Sequence, residues 1–253
     1  MILEILNKFL KYFNIKLVNR KFVGTIDKRE LSQFNEDNIN YRLYFEGLIK
    51  SKNIISDNFF KQSRHLDLIN LANKVLMEEN VYDFVECGCW KGHSSYFVSK
   101  LILNSQKKVK FHIFDSFEGL SIETKNDSGL LKFNNKQLNK IRSQFSSDEY
   151  FVKNEVLKEF NFIEIYKGWI PEKFDLIKDK KFSFIHLDVD LYEPTLNSLK
   201  FFYPRLVNGG IIVCDDYNSK SFNGSKKAWD EFFEKNNSKF NFSPSLSSVF
   251  AIK

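Results

Sequence analysis

Apolar runs of strand length alternate with helical stretches through most of the chain after residue 80, and this alternation restricts the fold more than any other feature. The predicted strands lie at 82–87, 109–115, 162–166, 182–188 and 211–215, and the predicted helices lie at 92–104, 194–206 and 225–235. Strands separated by helices form βαβ units, whose strands lie parallel in one sheet. Two further short runs, 240–242 and 248–252, predict an antiparallel hairpin at the edge of that sheet. The predicted fold class is therefore α/β.

Two regions depart from this alternation. Residues 1–58 have a mostly helical pattern and predict an N-terminal extension, ahead of a domain that spans 59–253 and begins with a helix at 60–79. Residues 116–150 are rich in Ser, Asn, Asp and Lys, with a weak helical pattern at 137–145. Insertions of this length are commonly lids or binding loops. We expect either a lid that binds an acceptor or an ordinary surface loop.

The composition excludes several classes of protein. With 43% hydrophobic residues and 28 Phe, the chain can build a large core, which excludes disordered and low-complexity proteins. The net charge of +6 is not clustered, and the longest basic groups are short, so no nucleic-acid partner is predicted. The three cysteines, Cys87, Cys89 and Cys214, do not form a disulfide framework, and they favour a reducing, cytoplasmic setting.

The N-terminal stretch bears on membrane contact. No window of the sequence has the roughly 18–20 uncharged apolar residues of a membrane span, so no integral membrane segment is predicted. Residues 2–13 place apolar side chains on one face and lysines on the other, which is typical of an amphipathic helix. Such a helix can lie on a membrane surface, or it can pack on its own domain or on the partner subunit of a homo-oligomer. We favour the packed arrangement.

Acidic residues stand at the ends of four predicted strands, where ligands bind in open parallel sheets. The first, Glu86, begins the turn Glu-Cys-Gly-Cys-Trp-Lys-Gly over 86–92. Gly88 can adopt backbone angles closed to other residues, and Gly92 opens a helix whose free N–H groups favour an anion such as a carboxylate. The turn lacks the glycine spacing of dinucleotide folds and the Gly-Lys-Ser/Thr of phosphate loops. A plain strand-to-helix turn without a ligand is the alternative.

The second acid, Asp115, ends the next predicted strand. An acid at this position can accept the hydroxyl protons of a ribose. Together with the Glu86 turn, it indicates an adenosine-containing cofactor. The absence of the dinucleotide glycines favours S-adenosylmethionine over NAD, because S-adenosylmethionine has no pyrophosphate. Trp90, Trp169 and Trp229 are candidates to stack on an adenine or simply to fill space, and of the three only Trp169, beside Gly168, lies where an adenine is expected.

The remaining strand-end acids are Asp188 with Asp190, and Asp215 with Asp216. If their strands are neighbours, Asp188, Asp215 and Asp216 converge at one edge of the sheet. Carboxylates that lie this close repel one another unless they bind a cation or share protons. All-oxygen ligands point to Mg²⁺, Mn²⁺ or Ca²⁺ rather than zinc. The alternative is that one or two of these acids cap helices or turns. His186, on the same strand as Asp188, is expected to be a core histidine.

Taken in order, these motifs resemble the macrocin-type O-methyltransferases, class I S-adenosylmethionine-dependent enzymes that methylate sugar hydroxyls of natural products. The resemblance covers about residues 60–235. It is carried by the blocks 84–95, 115–120, 187–195, 203–206, 209–210, 215–217 and 224–232. It implies a Rossmann-like class I methyltransferase fold, a mostly parallel seven-stranded sheet with a C-terminal antiparallel hairpin, preceded by the N-terminal helical extension.

The resemblance also implies roles for residues. Asp188, Asp215 and Asp216 would bind Mg²⁺ or another divalent cation, and Asp190 would be the general base of a metal-dependent O-methyltransferase. The turn at Glu86 would hold the methionine part of S-adenosylmethionine. Asp115 would hold its ribose. The full set of predicted cofactor-binding residues is Glu86, Gly88, Trp90, Ser94, Ser95, Asp115, Ser116, Gly168, Trp169 and Asp188. The expected acceptor is a small molecule, a sugar or a glycosylated compound.

The chain departs from the family pattern at one place, and two other functions stay open. The family usually has a Thr-Leu pair shortly after the Gly-Trp/Phe element, whereas here the sequence 168–174 runs Gly-Trp-Ile-Pro-Glu-Lys-Phe. The segment Asp188-Val189-Asp190 also fits the Asp-x-Asp motif of nucleotide-sugar glycosyltransferases. A non-catalytic Rossmann-like binding protein is the third hypothesis, although acids at four strand ends argue against it.

Overall fold

The computed structural model describes residues 39–54, 57–245 and 248–253 of the chain. The amphipathic stretch 2–13 and the rest of 1–38 lie outside the described residues. The strands are β1 (Asp83–Cys87), β2 (Phe111–Asp115), β3 (Ile163–Lys167), β4 (Phe182–Leu187), β5 (Leu206–Cys214), β6 (Asn241–Phe242) and β7 (Val249–Ile252). The helices are α1 (Ile39–Lys50), α2 (Phe59–Leu76), α3 (His93–Ser105), α4 (Asn135–Gln144), α5 (Glu149–Phe151, which continues as a π-helical turn over Val152–Val156), α6 (Tyr192–Phe202) and α7 (Asn223–Lys235).

In the described part of the chain, seven strands form one sheet in the order β3-β2-β1-β4-β5-β7-β6. Strands β1 to β5 are parallel to their neighbours. Strand β7 pairs antiparallel with β5, and β6 pairs antiparallel with β7. The predicted α/β class, the mostly parallel sheet and the C-terminal hairpin are confirmed. From β1 the chain builds the sheet outward in one direction through β2 and β3, and then in the other direction through β4 and β5. In open α/β sheets, ligands bind at the point where the direction changes, which here lies next to β1.

Both faces of the sheet are covered, as expected for parallel strands that are apolar throughout. Successive side chains of a strand point to opposite faces. Phe84 of β1 therefore packs on one side with α1, α2 and α3, whereas Val85 and Cys87 pack on the other side with α6 and α7. Cys87, Cys89 and Cys214 are buried and free, which confirms that they are core residues and not a disulfide framework.

Helix α1 packs into the same hydrophobic cluster as α2 and α3. Tyr44 and Leu48 of α1 are buried there, and the Tyr44 hydroxyl donates to Asp57 Oδ1 at 2.6 Å. His93 Nε2, at the start of α3, lies 2.8 Å from the Tyr44 carbonyl oxygen. The boundary at residue 58 stays a prediction. None of the helices that the structure describes is long and apolar enough to cross a membrane.

Two element boundaries differ most from the predictions. The helix predicted at 194–206 ends at Phe202, and Tyr203–Arg205 forms a single 3₁₀ turn. Pro204 lacks the amide N–H that a continuing helix requires. Strand β5 begins at Leu206 rather than at 211, because Leu206 pairs with Phe182 of β4 before the register shifts. The first residue of β5 is therefore set by its pairing with β4, which the local sequence does not reveal.

Candidate active site

A cavity of about 240 Å³ opens at the carboxyl ends of β1, β2 and β4. It contains most of the residues that the sequence singled out. The predicted residues that line it are Gly88, Trp90, Ser94, Asp115, Ser116, Gly168, Trp169, Asp188 and Asp190. Its other lining residues include Lys61, Arg64 and His65 from α2, and Leu120, Ser121 and Phe145 from the 116–150 insertion. The cofactor-side residues and the candidate base therefore share one cavity.

The turn after β1 is held in an unusual backbone conformation. Gly88 has φ +85°, and a Cβ built on it would lie 2.0 Å from the Asp188 carbonyl oxygen. Its N–H donates to the Phe114 carbonyl at 2.8 Å, while the Asp188 N–H donates to the Cys87 carbonyl at 2.9 Å. The turn thus touches the neighbours of β1 on both sides. Only a residue without a side chain permits this approach.

Of the six positive φ angles that residues other than glycine adopt in the described part of the chain, three lie beside this cavity. Trp90 has φ +47°, Phe117 has φ +60° and Asp190 has φ +61°, and these residues follow β1, β2 and β4. Such angles are uncommon for residues other than glycine and concentrate at functional sites. The clustering at three adjacent strand ends marks this edge of the sheet as the functional one.

Asp115 organises two turns at once. Its Oδ2 accepts hydrogen bonds from the N–H groups of Cys89 (2.7 Å) and Trp90 (2.9 Å), and its Oδ1 accepts one from Phe117 (2.7 Å). Burial raises the pKa of this carboxyl above its ordinary value, although the three N–H donors act in the opposite direction. Its carboxylate is therefore fixed at the wall of the cavity, where the sequence analysis expects a ribose.

Glu86 and Ser95 are not among the residues that line the cavity, and their contact with a cofactor stays a prediction. Glu86 is fully buried behind the turn. Its Oε2 accepts a hydrogen bond from the Ser95 hydroxyl, and its Oε1 lies 2.9 Å from His186 Nδ1. The reason is the strand period, which turns the Glu86 side chain toward His186 of β4, its register partner. Glu86 thus supports the turn from beneath.

The acids of β4 and β5 come together, as predicted, but with a different set of neighbours. Ligand atoms of His186, Asp188 and Asp215 lie within 4.8 Å of one another. Asp216 is turned toward Asp190, whose N–H donates to Asp216 Oδ2 at 3.1 Å. The imidazole of His186 lies between Glu86 and Asp215, with its Nε2 3.2 Å from Asp215 Oδ2. His186 is buried, as expected, and it is also part of the acid cluster.

The cluster shifts the pKa of its members in opposite directions. Burial, followed by the charge of Asp188, raises the pKa of Asp190 to about 8. Burial also raises the pKa of Asp216 well above its ordinary value, with Asp190 and Asp188 adding to the effect. Burial opposes ionisation of Asp215 as well, but the charges of Arg64 and His186 outweigh it and lower the pKa.

Arg64, on α2, is the main site residue that the sequence analysis missed. Its Nε lies 3.1 Å from Asp215 Oδ2, and its Nη1 lies 3.6 Å from Asp216 Oδ1. The signal was an arginine within a predicted helix, in a chain that uses lysine for most of its positive charges. The helix period could not show that this arginine reaches β5, because the contact joins residues far apart in the chain.

The 116–150 insertion forms one wall of the cavity. The indole N–H of Trp90 donates to the Ser146 carbonyl at 3.3 Å, and Phe145 lines the cavity. Asp127, fully buried, accepts hydrogen bonds from the Tyr192 N–H (2.8 Å) and from the N–H and hydroxyl of Thr124. The insertion is therefore joined to the first turn of α6, directly after Asp190.

Comparisons with known proteins fit this geometry. The family model described as macrocin O-methyltransferase (TylF) matches residues 17–243, which is most of the chain. This chain belongs to the macrocin O-methyltransferase family. Its membership confirms the resemblance predicted from the sequence and favours it over the glycosyltransferase and binding-protein alternatives.

The individual relatives are distant in sequence from this chain. The 8-demethyl-8-(2,3-dimethoxy-alpha-L-rhamnosyl)-tetracenomycin-C 4'-O-methyltransferase of Streptomyces olivaceus is 26% identical over 168 residues, which are 61% of this chain and 60% of that protein. The match therefore spans less than two thirds of the relative.

Two solved structures share the fold. The O-methyltransferase NovP has a TM-score of 0.64 at 17% identity, over 84% of this chain and 98% of NovP. An O-methyltransferase from Bacillus cereus, in complex with SAH, has a TM-score of 0.55 at 12% identity, over 91% of this chain and all (100%) of that chain. At these identities the likeness shows the fold, which is that of O-methyltransferases.

Proposed function

We propose that this chain transfers the methyl group of S-adenosylmethionine to a hydroxyl of a sugar on a small molecule. The observation that carries the proposal is that Asp115 and the Gly88 turn line the same 240 Å³ cavity as Asp190. A cofactor held by Asp115 would thus share one cavity with the candidate base. The relative from Streptomyces olivaceus, whose name specifies the 4' position of a rhamnosyl compound, supports a sugar acceptor.

The protein has to act mainly on the acceptor hydroxyl, because the hydroxyl must lose its proton when the methyl group is transferred. The acceptor oxygen forms a bond to the methyl carbon, the carbon–sulfur bond breaks, and its electron pair stays on sulfur to give S-adenosylhomocysteine. The hydroxyl proton must leave, and in water it does so only at a pH of about 15. Asp190 would accept that proton. Burial and the charge of Asp188 raise the pKa of Asp190 to about 8, so its ionised carboxylate is a stronger base than that of an ordinary aspartate and predominates only above a pH of about 8.

We further propose that the reaction depends on a divalent cation held by Asp188, Asp215 and Asp216, with His186 close by. The donor set fits in that ligand atoms of Asp188, Asp215 and His186 lie within 4.8 Å of one another, and the buried Asp215 Oδ1 has no hydrogen-bond donor among the described residues, whereas Asp215 Oδ2 is paired with Arg64 and His186. When bound, such a cation supplies positive charge that lowers the pKa of an acceptor hydroxyl. Asp190 lies beside this set, held by Asp216 through its backbone N–H.

The free, buried cysteines support a cytoplasmic setting.

Substitution of Asp190 tests the assignment. Asp190→Asn removes the proton acceptor and keeps the shape of the side chain, so methyl transfer should fall by about 10²-fold or more. The dissociation constant for S-adenosylhomocysteine should stay within about twofold of the wild-type value. Transfer is measured with methyl-labelled S-adenosylmethionine and a panel of free, nucleotide-linked and glycosidic sugars. Asp179→Asn, an exposed change in a loop, is the matched control. Full transfer by Asp190→Asn would remove Asp190 as the base.

A further inference from the structure

Arg64 places a positive charge against the two adjacent acids that follow β5. Its guanidinium contacts Asp215 through Nε at 3.1 Å and faces Asp216 through Nη1 at 3.6 Å. Both carboxylates are buried, and the Arg64 side chain keeps about a quarter of its surface exposed. The arginine therefore reaches the acids from the cavity, which it also lines.

This contact changes the charge balance of the cluster. Four carboxylates, those of Asp188, Asp190, Asp215 and Asp216, lie at the ends of β4 and β5. Guanidinium groups stay protonated in proteins, so Arg64 supplies a fixed charge. Burial of so many carboxylates without a nearby cation is strongly unfavourable. Arg64 and the imidazole of His186, at 3.1 and 3.2 Å from Asp215 Oδ2, thus supply positive charge to the cluster without a metal ion.

We propose that Arg64 is the resident counter-ion of the acid cluster and competes with a divalent cation for Asp215 and Asp216. The inference rests on the metal site of the proposed function and assigns its control to a residue outside the ligand set. A cation that binds these acids meets the like charge of Arg64, and the guanidinium has to withdraw toward the cavity. Its exposed side gives it room to do so.

The position of Arg64 on α2 favours this role over a purely structural one. The Arg64 side chain is ion-paired with Asp215 and at the same time forms part of the cavity wall, so it faces the space in which a ligand would bind. Lys61 and His65, one turn before and one residue after it, line the same wall. A movement of Arg64 away from Asp215 would therefore alter the cavity in which the acceptor is expected to bind. Metal affinity and the shape of the cavity would be coupled through one side chain.

Titration with Mn²⁺ tests the competition directly, because Mn²⁺ binding is measured without any acceptor. The whole chain of 253 residues, stripped with EDTA and then dialysed, is titrated by calorimetry. Arg64→Met removes the charge and keeps the length of the side chain, so Mn²⁺ should bind at least 10-fold more tightly, which corresponds to about 1.4 kcal/mol. Arg64→Lys keeps a positive charge and should bind Mn²⁺ with an affinity close to that of the wild type.

Thermal unfolding gives a second measurement. In EDTA, Arg64→Met should melt several degrees below the wild type, since the acids have lost their counter-ion, and Mn²⁺ should restore most of the difference. Arg205→Met is the matched control. Arg205 lies at the opposite end of β5, where its side chain donates to the carbonyl groups of Lys178 and Phe201. Any loss of stability in Arg205→Met should not respond to Mn²⁺, and its Mn²⁺ affinity should equal that of the wild type.

The outcomes separate this inference from the proposed function. Equal Mn²⁺ affinity in the wild type and Arg64→Met would overturn the competition. Failure of both proteins to bind Mn²⁺ would overturn it as well, together with the metal site, while binding of S-adenosylhomocysteine would still support the methyltransferase. A destabilised Arg64→Met that Mn²⁺ does not rescue would make Arg64 a structural residue and contradict the proposal.

Discussion

Gly88 connects the backbone of the sheet to the chemistry of the cavity. Its positive φ is one reason that glycine stands there, and the carbonyl of Asp188, 2.0 Å from where a Cβ would be, is a second and stronger one. The same contact fixes where Asp188 lies relative to the cofactor turn. A change at this position should therefore affect both the cofactor end of the cavity and the acid cluster.

Gly88→Ala should destabilise the protein and weaken the binding of S-adenosylhomocysteine by at least 10-fold, because the backbone of the turn or of Asp188 must move. Gly209→Ala is the matched control. Gly209 has φ +78°, but a Cβ there would meet no atom within 4 Å. It should cost only the backbone strain of a left-handed residue, about 1–2 kcal/mol. Urea unfolding and calorimetry compare the two variants, and equal effects would contradict the role of the close approach.

The role of a site residue could be predicted from the sequence only when it did not depend on a partner far away in the chain. Gly88, Asp115, Asp188 and Asp190 were found because a residue at the end of a strand is already at the functional edge. The burial of Glu86 could not be found in this way, since it depends on His186 of the neighbouring strand. Arg64 was missed for the same reason.

At the scale of elements, the 116–150 insertion is the part that sequence patterns described least well. A weak helical pattern at 137–145 indicated α4, which is Asn135–Gln144 and begins with a capping box between Asn134 and Gln137. The hydrogen bond that joins the insertion to the start of α6 was not predictable, because its acceptor is a single buried acid far from α6 in the chain. Asp127 supplies from outside the side-chain cap that α6 lacks in its own sequence. Helix N-termini favour such a negative group.

Asp127→Ala should lower the free energy of unfolding by about 2–4 kcal/mol, because it leaves the N–H groups of Tyr192 and Thr124 without their acceptor. Methyl transfer should fall as well, since Asp190 directly precedes the capped turn. Thr124→Val removes one hydrogen bond from the same carboxylate and leaves the Tyr192 contact intact. It should cost less than about 1.5 kcal/mol. Urea denaturation of both variants provides the check, and a loss from Asp127→Ala no greater than that from Thr124→Val would show that the insertion is anchored elsewhere.

For the whole molecule, the sequence predicted most of the sheet, whereas the packing of the helices that cover it was known only from the structure. Alternating strands and helices, acids at strand ends and the closing hairpin follow from local periodicity. Helix α1 packing with α2 and α3 is a tertiary feature, carried by contacts such as that of His93 with Tyr44. The cavity depends on both local sequence and tertiary contacts. The strand ends supply its acids, α2 supplies Arg64, and the 116–150 insertion supplies one wall.

The central claim is that this cavity binds the adenosine cofactor of a methyltransferase. Calorimetric titration of S-adenosylhomocysteine into the purified protein, with Mg²⁺ and with EDTA, tests it most directly, with UDP and NAD as controls. The structure predicts micromolar binding of S-adenosylhomocysteine in both buffers, since Asp115 and the Gly88 turn need no cation, and no binding of UDP or NAD. Binding of UDP or NAD without binding of S-adenosylhomocysteine would contradict the assignment of the cavity.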